Sequence, residues 1–419
     1  MKNIIDFQEY YTEEKGWSGA IEAAVQELSE GGGGILFVPA GKYETVSFRL
    51  YSNIILYLEA GAELCFIREE ELYPVVRTVF EGKTAETRMP CIYAKDAENV
   101  VIAGMGTING QGSYWWERKK TVTKGRPCLI CMEACRRIKL LDVTLVNSPA
   151  WTIHPLYCED VEIRGVTIRN PKDSPNTDGI NPESCRNVRI MDCLVDVGDD
   201  CITLKAGTEE TDKKAPCENI TVSNCNLVHG HGGVVIGSEM SGGVSNVTIS
   251  NCVFQDTDRG IRVKTRRGRG GAVEQVTANN LVMERVLCPF TFNMYYQCGA
   301  EGDAYKEKTA HTADVSTPVF RNIRIAGLQA VEVRAAAGFF YGLPEMPVEN
   351  IVITDCTVAM AKGGEGGCAA MMEDAVPTQG KGIILRFARN ITFRNLTVLE
   401  CKGAPIDKDD TVENLTIDA

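Results

Sequence analysis

Residues 218–222, Glu-Asn-Ile-Thr-Val, return 27 residues later as Ser-Asn-Val-Thr-Ile at 245–249. The unit, a small or polar residue followed by Asn and an alternating apolar run, recurs along most of the chain. Further copies stand at Glu98–Ile102, Arg186–Ile190, Arg321–Ile325, Glu349–Ile353, Arg389–Phe393 and Glu413–Ile417, with degenerate copies at Arg137, Asp160 and Gln275. One such β-rich unit cannot bury its own apolar side, whereas stacked copies bury a continuous core. The repeat therefore predicts an all-β parallel solenoid.

A second position of the repeat, six residues after the Asn position, is apolar or a thiol. It is occupied by Met105, Val143, Val166, Cys193, Cys225, Cys252, Leu281, Leu328, Cys356 and Leu396. Because Cys replaces Leu and Val there, we interpret these cysteines as small buried hydrophobic residues. The Asn position is interpreted as structural too, since Asn tolerates the left-handed backbone region. Cys128 and Cys131 lack the second cysteine pair that a zinc site of this spacing needs, so they are also interpreted as structural.

The N-terminal end of the chain differs from the repeat. Gly16–Glu30 has apolar residues at helical spacing and is followed by four glycines. A helix there would cap the first coil. We therefore expect a single domain over residues 1–419, with an N-terminal cap at 1–34 and stacked coils at 35–419. Three longer polar segments are expected to be loops: Phe66–Pro90, Gly299–Pro318 and Ala359–Gly380.

The composition excludes several classes of protein. The chain has 419 residues with 44 Lys and Arg against 56 Asp and Glu, a formal net charge of −12. Nucleic-acid binding needs surplus Lys and Arg, so a nucleic-acid partner is not expected. No apolar run approaches the roughly 18 residues of a membrane span, and residues 1–9 lack the apolar core of a signal peptide. Its 17 cysteines, an odd number in a long chain, favour a reducing compartment. We expect a cytoplasmic protein without a membrane partner; the oligomeric state stays open.

Four segments of the repeat contain the residues that could do chemistry. Aligned on the second strand of their units, they are Asn176–Ile180, Gly198–Ile202, Gly230–Val234 and Asp258–Lys264. Stacked strands lie about 4.8 Å apart, so this register gathers three carboxylates, an imidazole and two cations on one face: Asp178, Asp199, Asp200, His231, Arg262 and Lys264. Paired carboxylates flanking a glycosidic bond are the requirement for glycoside hydrolysis. Two cations on the same side of a strand could clamp a carboxylate.

In their order and spacing, these motifs resemble the four signature segments of glycoside hydrolase family 28, the polygalacturonases. They are Asn176-Thr177-Asp178, Gly198-Asp199-Asp200, Gly230-His231-Gly232 and Arg262-Val263-Lys264. The resemblance covers most of the chain, and the run at 230–243 is similar to that of the bacterial exo-acting branch. It implies a right-handed parallel β-helix and an inverting hydrolysis without a metal or other cofactor. The implied substrate is a pectin-derived oligo- or polygalacturonate, cleaved at α-1,4-galacturonosyl linkages by exo action.

The resemblance also implies which residues catalyse the reaction. Asp199 would be the general acid, and Asp178 with Asp200 would activate the attacking water. His231 would support the acid.

A second group is implied to bind the substrate. Arg262 and Lys264 would bind the galacturonate carboxylate beyond the cleavage point, and Asn176 is assigned to substrate binding with them. The family uses a tyrosine after the Arg-x-Lys segment. Tyr295 and Tyr296 are both candidates for it, and Tyr295 is preferred.

Other functions remain open. The enzyme could hydrolyse another pectic fragment, rhamnogalacturonan or xylogalacturonan, because Arg262 and Lys264 favour a carboxylated sugar without naming its neighbours. A non-catalytic carbohydrate-binding solenoid would leave three carboxylates unexplained. A calcium-dependent lyase is less favoured, since EF-hand-like Asp spacing is missing from the sequence. The basic cluster at 265–271 either extends the carboxylate-binding surface or is a solvated loop.

Overall fold

A computed structural model describes residues 4–418 of the chain. Residues 1–3 and 419, which the expected single domain includes, lie outside the described residues. The predicted fold class, an all-β right-handed parallel β-helix with a short N-terminal capping helix, is confirmed. The chain divides into two compact units, unit 1 up to Asp199 and unit 2 from Asp200. Among residues 4–418, no helix is both long and apolar enough to cross a membrane.

Unit 1 consists of short strands with two helices. Its strands are β1 (Ile4–Asp6), β2 (Gly34–Val38), β3 (Gly41–Thr45), β4 (Phe48–Leu50), β5 (Ile54–Leu58), β6 (Ala62–Phe66), β7 (Val75–Phe80), β8 (Lys83–Arg88), β9 (Ile92–Lys95), β10 (Val101–Gly104), β11 (Thr107–Asn109), β12 (Ile130–Glu133), β13 (Arg136–Leu141), β14 (Thr144–Val146), β15 (Ile153–Leu156), β16 (Glu159–Arg164), β17 (Thr167–Arg169), β18 (Arg186–Met191) and β19 (Leu194–Val197). Its α-helices are α1 (Gly16–Glu30) and α2 (Ser113–Glu117), and 3-10 turns occur at Phe7–Tyr10 and Glu70–Leu72.

Parallel pairing builds unit 1 coil by coil. In one sheet, strands β2, β5, β10, β13, β16 and β18 stack in that order, and β3, β6, β11, β14, β17 and β19 stack beside them. A second sheet contains β4, β9, β12 and β15. Side chains alternate across each strand, so that Ile138 and Leu140 of β13 are fully buried while Lys139 between them is exposed. The core therefore lies between the sheets.

Helix α1 closes the first coil, as its apolar spacing predicts. One face of the helix is buried, with Ile21 and Leu28 at 0% and 1% exposure. It contacts β2, β3 and β4, and polar residues cover its other face. The prediction of an N-terminal capping helix at this place is confirmed.

The expectation of a loop at Phe66–Pro90 is wrong. The segment contains an antiparallel hairpin, β7 paired with β8. Glu81 and Gly82 form its two-residue turn with φ of 52° and 73°, the positive values that twisted hairpins favour. The hairpin packs on a buried cluster that includes Tyr93 and Cys131 of the second sheet, and its Phe80 ring centre lies 4.7 Å from that of Trp151. The contact between the Phe80 and Trp151 rings stabilises the hairpin.

Unit 2 continues the same plan with longer strands. They are β20 (Ile202–Leu204), β21 (Cys217–Ser223), β22 (Asn226–His229), β23 (Val234–Gly237), β24 (Val244–Ser250), β25 (Val253–Gln255), β26 (Arg259–Lys264), β27 (Ala272–Glu284), β28 (Cys288–Asn293), β29 (Val319–Val333), β30 (Ala336–Tyr341), β31 (Val348–Met360), β32 (Lys381–Arg386), β33 (Ala388–Leu399), β34 (Ile406–Lys408) and β35 (Val412–Asp418). One sheet contains β20, β23, β26, β28, β30, β32 and β34 in that order. The segments 299–318 and 361–380 lack strands, apart from a 3-10 turn at Ala304–Lys306, which confirms two of the three expected loops.

The Asn position of the repeat has the backbone conformation that the sequence predicts. All eight Asn copies have φ between 52° and 60°, and so do the degenerate copies Arg137, Asp160 and Gln275. The amides bond from coil to coil: Asn246 donates to Asn219 at 3.1 Å, and Asn350 donates to Asn322 at 3.1 Å. The copies therefore turn the chain, and the Asn side chains connect neighbouring coils by hydrogen bonds.

The thiol position is also buried, except that Leu396 is partly exposed and Met105 is exposed. Cys193, Cys225, Cys252 and Cys356 are at most 2% exposed, but Met105 is 73% exposed. The prediction that Met105 occupies the buried position is wrong because its coil has one extra residue. Thr107 pairs with Thr144, so Gly106, not Met105, is the equivalent of Val143. A Cβ on Gly106 would lie 2.6 Å from that of Leu58, which leaves no room for a side chain.

Candidate active site

In unit 1, Asp178 is held by a network of neighbouring groups. Its backbone carbonyl accepts a hydrogen bond from the Thr152 amide at 2.8 Å, and its carboxylate accepts one from Asn181 Nδ2 at 3.0 Å. The Gly198 amide donates to Thr177 Oγ1 at 3.3 Å. A Cβ on Gly198 would lie 2.3 Å from the Ser174 carbonyl oxygen. Glycine at 198 therefore lets the segment with Asp199 approach the segment with Asp178.

This approach brings two predicted catalytic carboxylates together. An oxygen of Asp178 lies within 4.8 Å of one of Asp199. Asp178 is 3% exposed, whereas Asp199 is half-buried. A half-buried carboxyl group can reach a glycosidic oxygen in a groove, as a general acid must. The pair can thus provide both a proton donor and a buried base.

Sequence analysis missed the cation that accompanies this pair. Arg126 is 7% exposed and donates to the carbonyls of Pro149 and Pro175 at 2.9 and 2.8 Å. Its Nη2 donates to Asn176 Oδ1 at 2.7 Å, which gives the predicted substrate-binding Asn176 a fixed orientation. Burial lowers the pKa of Arg126, and the charges of nearby acidic groups, Asp178 and Asp199 among them, oppose that change. No repeat or motif marks an arginine at this place in the sequence.

In unit 2, Asp200 is the centre of a buried charge cluster. Its Oδ1 accepts from Arg262 Nη1 at 3.0 Å, and its Oδ2 accepts from Lys264 Nζ at 2.7 Å. The three residues are 1%, 1% and 6% exposed. Burial alone would raise the pKa of Asp200, but the charges of Lys264 and Arg262 outweigh it and hold that pKa well below its ordinary value. Asp200 is therefore an ionised carboxylate, which can anchor the two cations and is not suited to act as a general acid.

Arg262 and Lys264 point to the same side of β26, as predicted from their spacing. Sequence analysis missed that an acidic residue of the site is their partner. A guanidinium has five N–H donors and an ammonium has three, so contact with Asp200 is compatible with a second carboxylate. Their substrate-binding role stays a prediction.

His231 is oriented by a second acidic residue that sequence analysis did not assign. Its Nδ1 lies 3.0 Å from Asp258 Oδ2, and the same oxygen accepts from Arg259 Nη1 at 3.1 Å. Burial would raise the pKa of Asp258, but the hydrogen bond from His231 and the charge of Arg259 lower it. An ionised Asp258 favours a proton on the Nδ1 of His231, which leaves Nε2 to serve other partners.

Of the two candidate tyrosines, Tyr296 lies at the cations. The centre of its ring is 4.9 Å from Lys264 Nζ and 5.7 Å from Arg262 Cζ. Tyr295, the preferred candidate, packs instead against Tyr341 with ring centres 5.1 Å apart and is 1% exposed. Adjacent residues on an extended chain point in opposite directions, so only one of them can face Arg262. The position thus favours Tyr296, while the substrate contact itself stays a prediction.

The basic cluster at 265–271 is not a solvated loop, because its arginines pair with acidic residues of unit 2; its extension of the carboxylate-binding surface stays a prediction. Arg266 and Arg269 both pair with Glu209, at 3.1 and 3.3 Å. Arg267 forms a two-pronged ion pair with Glu345, at 2.6 and 3.0 Å. The arginines are largely buried, so the cluster holds loops of unit 2 in place.

The pattern described as Glycosyl hydrolases family 28 matches residues 75–356. The chain belongs to glycoside hydrolase family 28. It is therefore a glycoside hydrolase, and the alternative of a non-catalytic solenoid is not supported. The prediction that no metal takes part stays a prediction. The charge of Arg126 near Asp178 and Asp199 opposes a divalent cation between these two carboxylates.

Known relatives of this family 28 enzyme include plant proteins. A probable polygalacturonase of Vitis vinifera is 35% identical over 82% of this chain, which spans 71% of that protein. A probable polygalacturonase of Arabidopsis thaliana is 33% identical over 73% of this chain, which spans only 61% of that protein. Both relatives therefore extend beyond the segment that this chain matches.

Solved bacterial structures are similar over more of their length. The hyperthermoactive exopolygalacturonase from Thermotoga maritima is 29% identical with a TM-score of 0.81, over 95% of this chain and 92% of that chain. The family 28 exopolygalacturonase of Yersinia enterocolitica has a TM-score of 0.82 over 99% of this chain and 78% of that chain. At 20% identity the latter shows the shared fold alone.

Proposed function

We propose that this enzyme hydrolyses α-1,4-galacturonosyl linkages in pectin-derived galacturonides, and that it acts from the chain end with inversion. The observation that carries the proposal is the Asp178–Asp199 carboxylate pair in a chain of family 28. The buried cations Arg262 and Lys264 support an acidic sugar as the substrate, because a carboxylate is the sugar substituent that such cations bind best.

In the proposed mechanism, Asp199 donates a proton to the leaving glycosidic oxygen. Asp178 and Asp200 act on the attacking water as its bases, a division of roles that follows from the resemblance to the family, and Asp200 is ionised. Inverting enzymes usually hold their two carboxyl groups about 6.5–9.5 Å apart, and retaining enzymes about 5–5.5 Å apart. Oxygens of Asp178 and Asp199 lie within 4.8 Å. This distance does not favour inversion, which we propose from the resemblance to the family alone.

Two observations support action at the chain end. The similar Thermotoga maritima structure is named an exopolygalacturonase. In unit 1, the Arg88 amide at the end of the hairpin β7–β8 donates to the Lys124 carbonyl at 3.1 Å, two residues before Arg126. A hairpin beside the segment that holds Arg126 can limit how far a chain extends past the catalytic carboxylates.

The experiment that tests the proposal is proton NMR of the enzyme with hexagalacturonate, followed from the first minutes. We expect one short product, released early and in the anomeric configuration opposite to that of the substrate linkage. Early products of several lengths would contradict chain-end action, and a retained configuration would contradict inversion. If hexagalacturonate is not cleaved while rhamnogalacturonan or xylogalacturonan fragments are, the substrate assignment fails and the remaining pectic alternative replaces it.

We also propose that the enzyme works in a reducing compartment of the cell, where it trims imported fragments. All 17 cysteines are free thiols, and 14 of them are buried. Burial raises the pKa of thiols such as Cys131 and Cys158 far above the ordinary value, so they are protected from oxidation. Fractionation of the native host should place the protein inside the cell, with 17 thiols titrated after denaturation without reductant. Recovery from the medium would refute the proposal.

A further inference from the structure

The loop at 361–380, here called the wall loop, lies over the part of unit 2 that holds Arg262. Arg259 donates to two of its carbonyls, at Cys368 (2.6 Å) and Ala369 (3.2 Å). Thr291 Oγ1 donates to the Ala369 carbonyl at 3.2 Å, and Asn293 Nδ2 donates to the carbonyl of Met371 at 3.3 Å. The inner edge of the wall loop is thus fixed by buried side chains.

The strand register explains why this anchoring bears on the cations. Thr291 and Asn293 on β28 pair directly with Arg262 and Lys264 on β26. The groups that anchor the wall loop therefore stand beside the two cations that we propose to bind the substrate carboxylate.

The outer edge of the wall loop is fastened by charged groups of the 299–318 loop. Tyr305 Oη donates to Glu373 at 2.6 Å, and Lys306 pairs with the same carboxylate at 3.4 Å. Lys308 pairs with Asp374 at 2.8 Å. The wall loop therefore contacts the core of unit 2 at its inner edge and the 299–318 loop at its outer edge.

Between these edges, the side chain of Met371 contacts the guanidinium of Arg262. The distance from Sδ to Nη2 is 2.9 Å, and Met371 is partly exposed. A thioether is a weak hydrogen-bond acceptor, whereas a carboxylate forms a charge-assisted bond about twice as strong as a neutral one. Met371 thus adds bulk beside the cation and little binding energy.

We propose that Met371 is a specificity-determining residue that excludes methyl-esterified uronates from the subsite at Arg262 and Lys264. This inference rests on the proposed function. A free carboxylate is planar and compact, so it can bind the cations beside the Met371 side chain. A methyl ester carries one additional methyl group beside Arg262, and this group would clash with the sulfur of Met371. The ester therefore binds poorly for two reasons: it lacks the negative charge, and its methyl group collides with Met371. Met371 provides the steric part of this selection.

The test compares free digalacturonate with digalacturonate that is methyl-esterified only at its reducing-end residue. For Met371→Ala we expect the ratio of kcat/KM for the ester to kcat/KM for the acid to rise at least about tenfold, since one methyl group in a pocket is worth about 10–200-fold. Met371→Leu keeps the bulk without the sulfur, so its ratio should stay near that of the wild type. Val376→Ala, at a 74% exposed position of the same loop, is the matched control and should change nothing.

An unchanged ratio in folded Met371→Ala would overturn the proposal, because charge alone would then account for the selection. An equal rise in Val376→Ala would also overturn it, since the loop as a whole and not Met371 would be responsible. If the wild-type enzyme cleaves neither compound nor hexagalacturonate, the proposed function fails and this inference falls with it. If the wild-type enzyme cleaves free digalacturonate, the proposed function holds, and the variants then test the role of Met371 alone.

Discussion

Asp199→Asn should lower kcat on hexagalacturonate by about 10²–10⁴-fold, the usual contribution of a positioned general acid. The substitution removes the proton that Asp199 would give to the leaving oxygen and leaves the side-chain volume nearly unchanged. Because Asp199 is half-buried and its segment is fixed by close packing at Gly198, the variant should fold and still bind the substrate. Steady-state kinetics combined with binding titration measures the two effects separately.

The matched control is Asp196→Asn, the same chemical change three residues earlier. Asp196 lies on β19 and pairs with Arg169 at 3.9 Å, away from any role that we propose in the reaction. The kcat of Asp196→Asn should stay within about twofold of the wild-type value, because substitutions near the surface usually have small effects. Full activity in Asp199→Asn would overturn the assignment of the general acid.

Asp200→Asn should destabilise the protein by about 3–5 kcal/mol, the usual cost of removing one partner from a buried ion pair. The variant leaves Arg262 and Lys264 buried without the carboxylate that both now contact. Urea unfolding at pH 7 measures the loss. Activity should fall as well, because the same carboxylate is a proposed base.

The pH dependence gives this prediction a second readout. The pKa of Asp200 in the folded state is held below its ordinary value of 3.8. A carboxylate with a lowered pKa stabilises the fold above the pKa of the unfolded chain, and that contribution is lost as the pH falls through the folded pKa. The stability difference between wild type and Asp200→Asn should therefore be constant near neutral pH and shrink below about pH 4.

Asp374→Asn is the control for this experiment, since it removes a partner from an exposed ion pair. The side chains of Lys308 and Asp374 are 40% and 55% exposed, and exposed pairs contribute about 0–1 kcal/mol. We expect a loss in that range. A loss in Asp200→Asn no larger than that in Asp374→Asn would show that the buried cluster does not stabilise the fold.

The coil positions were predictable because they depend on local chemistry repeated many times. Asn219 and Asn246 each need a left-handed backbone, and their amides bond to each other, so the repeat is visible in the sequence itself. The error at Met105 has the opposite cause. A single extra residue shifts one coil out of step, and only the pairing of Thr107 with Thr144 reveals it.

The hairpin β7–β8 was missed although its turn has a local signal. Glu81-Gly82 between two alternating runs is a recognisable two-residue turn. The second run, Lys83–Arg88, is polar and resembles a loop in composition, whereas Val75–Phe80 is rich in Val and has the composition of a strand. What makes them ordered is the packing of Phe80 on Trp151, which lies 71 positions further along the chain.

The sequence by itself determined the repeat, the capping helix and the residue types of the site, because these follow from periodicity and from motifs of neighbouring residues. Tertiary structure alone decided that Arg262 and Lys264 bind Asp200, that Arg126 holds Asn176 and that Met371 contacts Arg262. These partners are separated by 50 to 109 positions in the chain. Such contacts depend on how coils and loops stack, and the free energy of burying a charge then selects its partner.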